Sequence, residues 1–195
     1  MCTYINKSHI GDYGFYDESS LPLGKYKDII IKDADRIDWL TTYDVNTFAK
    51  NHCGAVAATN ISLYYASRGF RDLNISNDKI EVFKKLHALI GNGPVVTIAG
   101  GLDKYFSSLR YDLRSSNLGN LESIKNALVN DRIIGILLAK DLFNWHWVLG
   151  LGYREYEDGS VYIRILNGWD NAIDKFYMIH SGSLWISATQ YWLLF

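Results

Sequence analysis

Residues 51–69, NHCGAVAATNISLYYASRG, constrain the architecture more than any other stretch. Asn51 is a good helix N-cap and Gly69 a good stop, so the spacing predicts a helix over 52–68. Ala55, Val56, Ala57, Ala58, Ile61, Leu63, Tyr64, Tyr65 and Ala66 cover nearly every face of it. A helix that is apolar all round belongs in the middle of a fold. Yet this one opens with a thiol, Cys53. Inside a packed helix a cysteine is a small hydrophobe. In a first turn it lies where unpaired N–H groups favour a thiolate, and there it can be a nucleophile.

The flanking sequence supplies what such a helix packs against. SNDKIEVFKKLHALIGNG (76–93) reads as a second helix, with Ile80, Phe83, His87 and Ile90 recurring at three- and four-residue spacing. GGLDKYFSSLR (100–110) reads as a short third. GNLESIKNALVND (119–131) reads as a fourth, with Leu121, Ile124 and Leu128 inward. The period then changes to two. RIIGILLA (132–139), WHWVLGLGYR (145–154), VYIRILNGW (161–169), KFYMIH (175–180) and YWLLF (191–195) read as strands. Helices followed by an antiparallel sheet make an α+β fold. Residues 1–43, rich in Gly, Tyr and Asp with one strand in YKDIIIKD (26–33), read as an N-terminal arm packed on the body. The expected organisation is a single domain over 1–195, with 44–130 the mainly helical half and 131–195 the β half.

Bulk composition excludes several roles. Of 195 residues 48% are hydrophobic, enough for a sizeable core. The formal net charge is −1 and the pI about 6.5, so no basic field exists for nucleic acid or an anionic membrane. No apolar run approaches the ~20 residues of a membrane span. The opening MCTYINKSHIGDYG lacks the basic stretch and apolar core of a signal peptide. Two cysteines, Cys2 and Cys53, cannot build a disulfide framework, and with no CxxC or HExxH neither a metal nor another cofactor is expected. Six Trp and 14 Tyr suit either large core residues in a β-rich half or a groove lined with flat side chains.

A cysteine nucleophile needs a base, because a free thiol of pKa ~8.5 is mostly protonated at neutral pH. His52 is adjacent, but neighbouring helical side chains diverge by ~100°, which makes it a poor base and leaves it as a solvent-facing cap residue. His9 lies in the arm, His87 suits a hydrogen-bonded core position, and His180 ends a strand. His146 differs. Alternation in WHWVLGLGY places His146, Val148, Gly150 and Gly152 on one face, with Trp145, Trp147, Leu149, Leu151 and Tyr153 in packing roles on the other. The two glycines would let a helix approach the histidine face closely. In the next strand Asn167 is the polar end of an apolar row, Val161, Ile163 and Ile165. A hairpin pairing His146 with Asn167 also pairs Arg154 with Gly159 and leaves Glu155 to Asp158 as the loop. The side-chain amide of Asn167 could then hold the imidazole in one tautomer. A tight turn at Asp158-Gly159 would instead set Asn167 opposite Gly150, ~13 Å from His146. The longer loop is the expected one.

NHCGAVAATN at the start of a central helix, NWHWVLGLGY on a strand and NGWD at the end of the next resemble the papain-like cysteine peptidases. The likeness covers residues 44–180 and is strongest to the compact bacterial branch, the bacteriocin-processing and staphopain-like peptidases. It implies a Cys53–His146–Asn167 triad, with Trp169 shielding the histidine and Asp170 able to replace Asn167 if a bulge shifts the strand end. It implies a peptide or protein substrate, a monomer, and a secreted or cell-surface bacterial protein. The family's oxyanion donor is a Gln six residues before the Cys. Here that position is Thr47, with Asn46 beside it, so Asn46 and Thr47 are the oxyanion candidates and Asn51 is expected to be occupied in capping.

Three functions follow from these residues. The first is a cysteine peptidase working through a thioester. The second is an amidase, acyl transferase or transglutaminase-like enzyme on the same fold, differing only in the acceptor. The third is a catalytically inactive binding module, for which the missing Gln speaks.

Overall fold

The structure is a computed structural model that describes residues 13–93, 95–179 and 182–194. Cys2, His9 and His180 lie outside the described residues. The first helix, α1, is Cys53–Ser67, and every residue from Cys53 to Tyr65 is buried. It stops as glycine chemistry dictates. Gly69 takes φ 107°, its N–H donates to Ala66 O, and the N–H of Phe70 donates to Tyr65 O. Its start departs from expectation. The N-cap is His52, and Asn51 sits before it in a left-handed conformation (φ 56°), its carbonyl taken by the Gly93 N–H at 2.7 Å.

Three helices follow. The second, α2 (Lys79–Ile90), is capped by Asp78, whose carboxylate accepts from Ile80 N and Glu81 N. It buries Val82, Phe83 and Leu86, whereas Ile80, His87 and Ile90 lie at the margin, so the inward face is rotated from the one the sequence spacing suggested. The third, α3 (Ala99–Ser108), buries Leu102, Tyr105 and Phe106. The fourth, α4 (Leu121–Val129), opens with a capping box between Asn120 and Ser123 and buries Ile124, Ala127 and Leu128, leaving Leu121 half-buried.

Among the described residues eight strands form one sheet: β1 (Phe15–Asp17), β2 (Tyr26–Ile30), β3 (Leu113–Asn117), β4 (Ile134–Ala139), β5 (Trp145–Tyr156), β6 (Val161–Leu166), β7 (Lys175–Tyr177) and β8 (Leu184–Leu193). Their order is β1-β7-β6-β5-β4-β8-β3, with β2 also paired to β5, and every pairing is antiparallel. β4 and β6 are buried along their whole length. Two features were not foreseen. β3 interrupts the helical half. Its sequence LRSSN buries only Leu113 fully, so it carries no alternation signal and is held as an edge by pairing with β8. The arm also adds a strand beyond the one expected at 26–33, since β1 joins the sheet as well as β2.

Neither hairpin register expected for β5 and β6 is adopted. Glu155 faces Val161 and Arg154 faces Tyr162, and the pairing shifts by one between Gly152–Arg164 and Gly150–Ile165. The connection is a loop in which Gly159 takes φ 84°, donates to Tyr156 O, and is followed by Ser160 bonded to the Asp158 carboxylate. The bulge leaves an extra residue, Leu151, in β5. The glycines also serve another neighbour. A Cβ on Gly152 would strike the Ile29 carbonyl, so this glycine admits the backbone of β2, not a helix. Charges then fix the arm. Arg154 pairs with Glu18 and Asp28, Arg164 with Asp28, and Lys175 with Asp17 and Asp174.

Candidate active site

Cys53 is the first residue of α1 and is 4% exposed. The segment before it is anchored from within the helix. Asn60 is the one amide side chain of α1, and burial obliges it to bond. It accepts from Leu40 N at 2.8 Å and donates to Leu40 O at 2.9 Å. Two residues on, Thr42 donates its N–H to Gly168 O (2.8 Å), while its carbonyl meets His52 Nε2 (3.3 Å). Residues 40–42 therefore strap the start of α1 to the loop after β6. On the other flank, a Cβ on Gly54 would crowd Val95 and Trp147, and the Trp147 indole donates to Val95 O at 2.8 Å. Trp147 has the packing role expected of it, but against the first turn of α1.

His146 stands at the start of β5 and is 1% exposed. Its Nε2 lies 2.7 Å from the backbone carbonyl of Asn167. A carbonyl only accepts, so Nε2 carries the proton and the lone pair of the neutral ring is at Nδ1. Trp169 stacks on the imidazole with centroids 4.2 Å apart and planes 14° apart. Tyr13 approaches it at 5.5 Å, tilted by 53°.

Asn167 is thus next to His146, but its side chain is not what orients the ring. Its Oδ1 accepts from the N–H groups of Trp169 (2.8 Å) and Asp170 (3.1 Å), and its Nδ2 donates to Asp170 Oδ2 (3.3 Å). These bonds shape the Asn-Gly-Trp-Asp loop, with Gly168 at φ 76°, and carry Trp169 over the imidazole. Asp170 is engaged in the same loop and also accepts from Ala172 N.

Cys53 and His146 line one small cavity together with Thr42, Val56, Asn60 and Gly168. It offers about 10 Å3 to the centre of a water molecule, which is room for one. Asn46 and Thr47 are not part of its lining. Asn46 is half-buried in the turns of 42–48, its N–H donating to Tyr43 O (3.3 Å), and Thr47 is exposed. His52, expected to face solvent, is instead 4% exposed and edge-on to Phe83 at 5.6 Å. Its Nδ1 is buried without a partner. Burial pulls its pKa below the ordinary histidine value, against a smaller upward pull from Thr42. His87 is only half-buried and bonds Asn92 at 2.7 Å.

Sequence reasoning missed Thr42, Asn60 and Tyr13. Asn60 alone left a signal, as the one amide in a largely apolar helix. Among the described residues no group of three or more His, Cys, Asp or Glu is placed to hold a metal ion, and no helix is long and apolar enough to cross a membrane.

No family model matches the chain, and no curated protein matches its sequence. Among solved structures, that of a C39-like peptidase candidate from Bacillus anthracis is similar, with a TM-score of 0.53 and 14% identity over 85% of this chain and 97% of that one. At such identity the likeness is one of fold, and it fits a papain-like arrangement of helices and antiparallel sheet.

Proposed function

We propose that this protein is a cysteine peptidase in which Cys53 is the nucleophile and His146 the acid and base. The observation that carries the reading is the shared cavity. A buried thiol at a helix start and a buried imidazole border the same space, and the imidazole has its other nitrogen tied to a carbonyl. The thiol proton passes to His146 Nδ1, and the thiolate attacks a peptide carbonyl. The tetrahedral oxyanion forms at the first turn of α1, where the N-cap side chain makes no capping bond and backbone N–H groups, that of Cys53 among them, stabilise it. His146 protonates the leaving amine, then takes a proton from water as the thioester is hydrolysed. Asn167 positions His146 through its carbonyl, Trp169 shields it, and Asp170 braces the loop.

The second oxyanion donor is the weak point. Asn46, the amide that the sequence offers for this role, is not among the residues that line the cavity. Without it about 3–4 kcal/mol of transition-state stabilisation is missing, so turnover is expected to be slow. The small cavity and the placement of Asn46 and Thr47 also favour a second reading, a peptidase fold that binds peptides without cutting them.

The test is mass-spectrometric product analysis of a peptide mixture with the full chain and its Cys53→Ala and His146→Ala variants, with and without an added amine. Cleavage by wild type alone is the expected result. Amine adducts in place of acids would make the protein an acyl transferase. Cleavage that persists in Cys53→Ala would overturn the assignment, and none in wild type would favour the binding module.

A further inference from the structure

We propose that Tyr13 is a positioning residue for His146, an inference that rests on the catalytic reading above. Tyr13 belongs to the arm, far from the site in sequence, yet it is 6% exposed and touches the site at several points. Its ring lies 5.5 Å from the His146 imidazole and 5.8 Å from Trp169. Its hydroxyl donates to Asn144 O at 3.2 Å, two residues before the histidine. Its own carbonyl accepts from Ser183 Oγ at 3.0 Å. Phe15 stacks behind it at 5.9 Å. Among the described residues two aromatic rings flank the imidazole, Trp169 stacked on it and Tyr13 tilted against it.

That enclosure does two things. The hydroxyl bond fixes the turn that leads into β5, and hence where the imidazole starts from. The ring replaces water beside a group that must become an imidazolium in a nearly dry space, and its quadrupole attracts that positive charge. An imidazolium held in this way stabilises the thiolate it pairs with. Among the described titratable groups, Cys53 faces the imidazole across the cavity, His52 precedes Cys53 in sequence, and Asp170 lies on the loop that carries Trp169. Among the described residues none of these groups belongs to the arm, and replacing Tyr13 leaves them in place while removing the aromatic wall and its hydroxyl anchor.

The test measures alkylation of Cys53 by iodoacetamide in a Cys2→Ser background, at about pH 5.5 and about pH 8.5, on either side of the range where an imidazole partner matters. Tyr13→Ala is expected to slow alkylation roughly two- to fivefold at the lower pH, the range set by a cation–π contact, and to leave the higher-pH rate nearly unchanged. Tyr13→Phe keeps the ring but loses the bond to Asn144 O, so its lower-pH rate should fall between those of wild type and Tyr13→Ala. A folded Tyr13→Ala protein that reacts as fast as wild type or faster at the lower pH overturns the proposal, as does an equal loss in Ala and Phe variants at both pH values. Should Tyr13→Ala fail to fold, Tyr13→Leu keeps the bulk without the ring and is expected to show the same low-pH loss. His146→Ala separates the two claims. If it leaves the low-pH rate untouched, the catalytic reading fails; if it abolishes that rate while Tyr13 variants match wild type, only the role of Tyr13 fails.

Discussion

At His146 the orienting bond comes from a main-chain oxygen, and this changes what Asn167 is for. Asn167→Ala keeps the carbonyl but removes the two bonds from Oδ1 that hold Trp169 and Asp170 in place. The expected outcome in steady-state peptide hydrolysis is a loss in kcat of roughly a hundredfold, the cost of a misplaced catalytic group. Asn167→Asp keeps an acceptor but sets a second carboxylate beside Asp170, and should fall between the two. His52 gives a prediction about stability. Its pKa is depressed in the folded protein and ordinary in the unfolded chain, so the unfolded chain binds the proton more readily. Stability is therefore full above about pH 6.5 and declines as pH falls through the window below it. Thermal melts between about pH 7.5 and 5 should show this decline, and His52→Gln should flatten it. That Cys53 and His146 would border one space was legible, because residue type and strand alternation point to it. The neighbourhood of Asn167 was legible too, but not its role, because no sequence distinguishes the use of a side chain from the use of the same residue's carbonyl. Thr42 works through main-chain bonds and left no trace for the same reason.

The strands and helices were readable where burial is one-sided or continuous, as in α1, β4 and the long β5. Register was not. It depends on a bulge at Leu151 and a loop over 156–160, features set by how β2 lies against β5 and not by the hairpin itself. Gly152 is the position where this can be tested. A methyl group there meets the Ile29 carbonyl, backbone that cannot step aside without unpairing β2. Gly152→Ala is expected to cost about 3 kcal/mol or more, measured by urea denaturation. β3 escaped detection because an edge strand with one fully buried residue has no pattern to read. The inward face of α2 was only partly read, because Ile80 and Ile90 sit near its ends and pack against the core without being fully covered by it.

Taken whole, the molecule is a helix-bearing half and a sheet joined along α1 and β5, with the candidate site at the start of both. The fold class was readable from the change of period at residue 132. The sheet's outer staple was not, because its partners are about 130 residues apart in sequence. Arg154 and Arg164 share Asp28, and both guanidinium groups are largely buried. Asp28→Asn leaves two buried cations short of a counter-charge and is expected to cost about 3 kcal/mol, toward the low end for a buried pair because Asp28 is itself partly exposed. Limited proteolysis of that variant should cut within 13–31 before the rest of the chain. The central claim is that Cys53 and His146 share a proton. It is tested by thiolate absorbance titration of the Cys2→Ser protein, with and without His146→Ala. A working pair gives a thiolate midpoint below about pH 6, rising to about 8 or higher when the imidazole is removed. A midpoint near the ordinary ~8.5 in both proteins would contradict it.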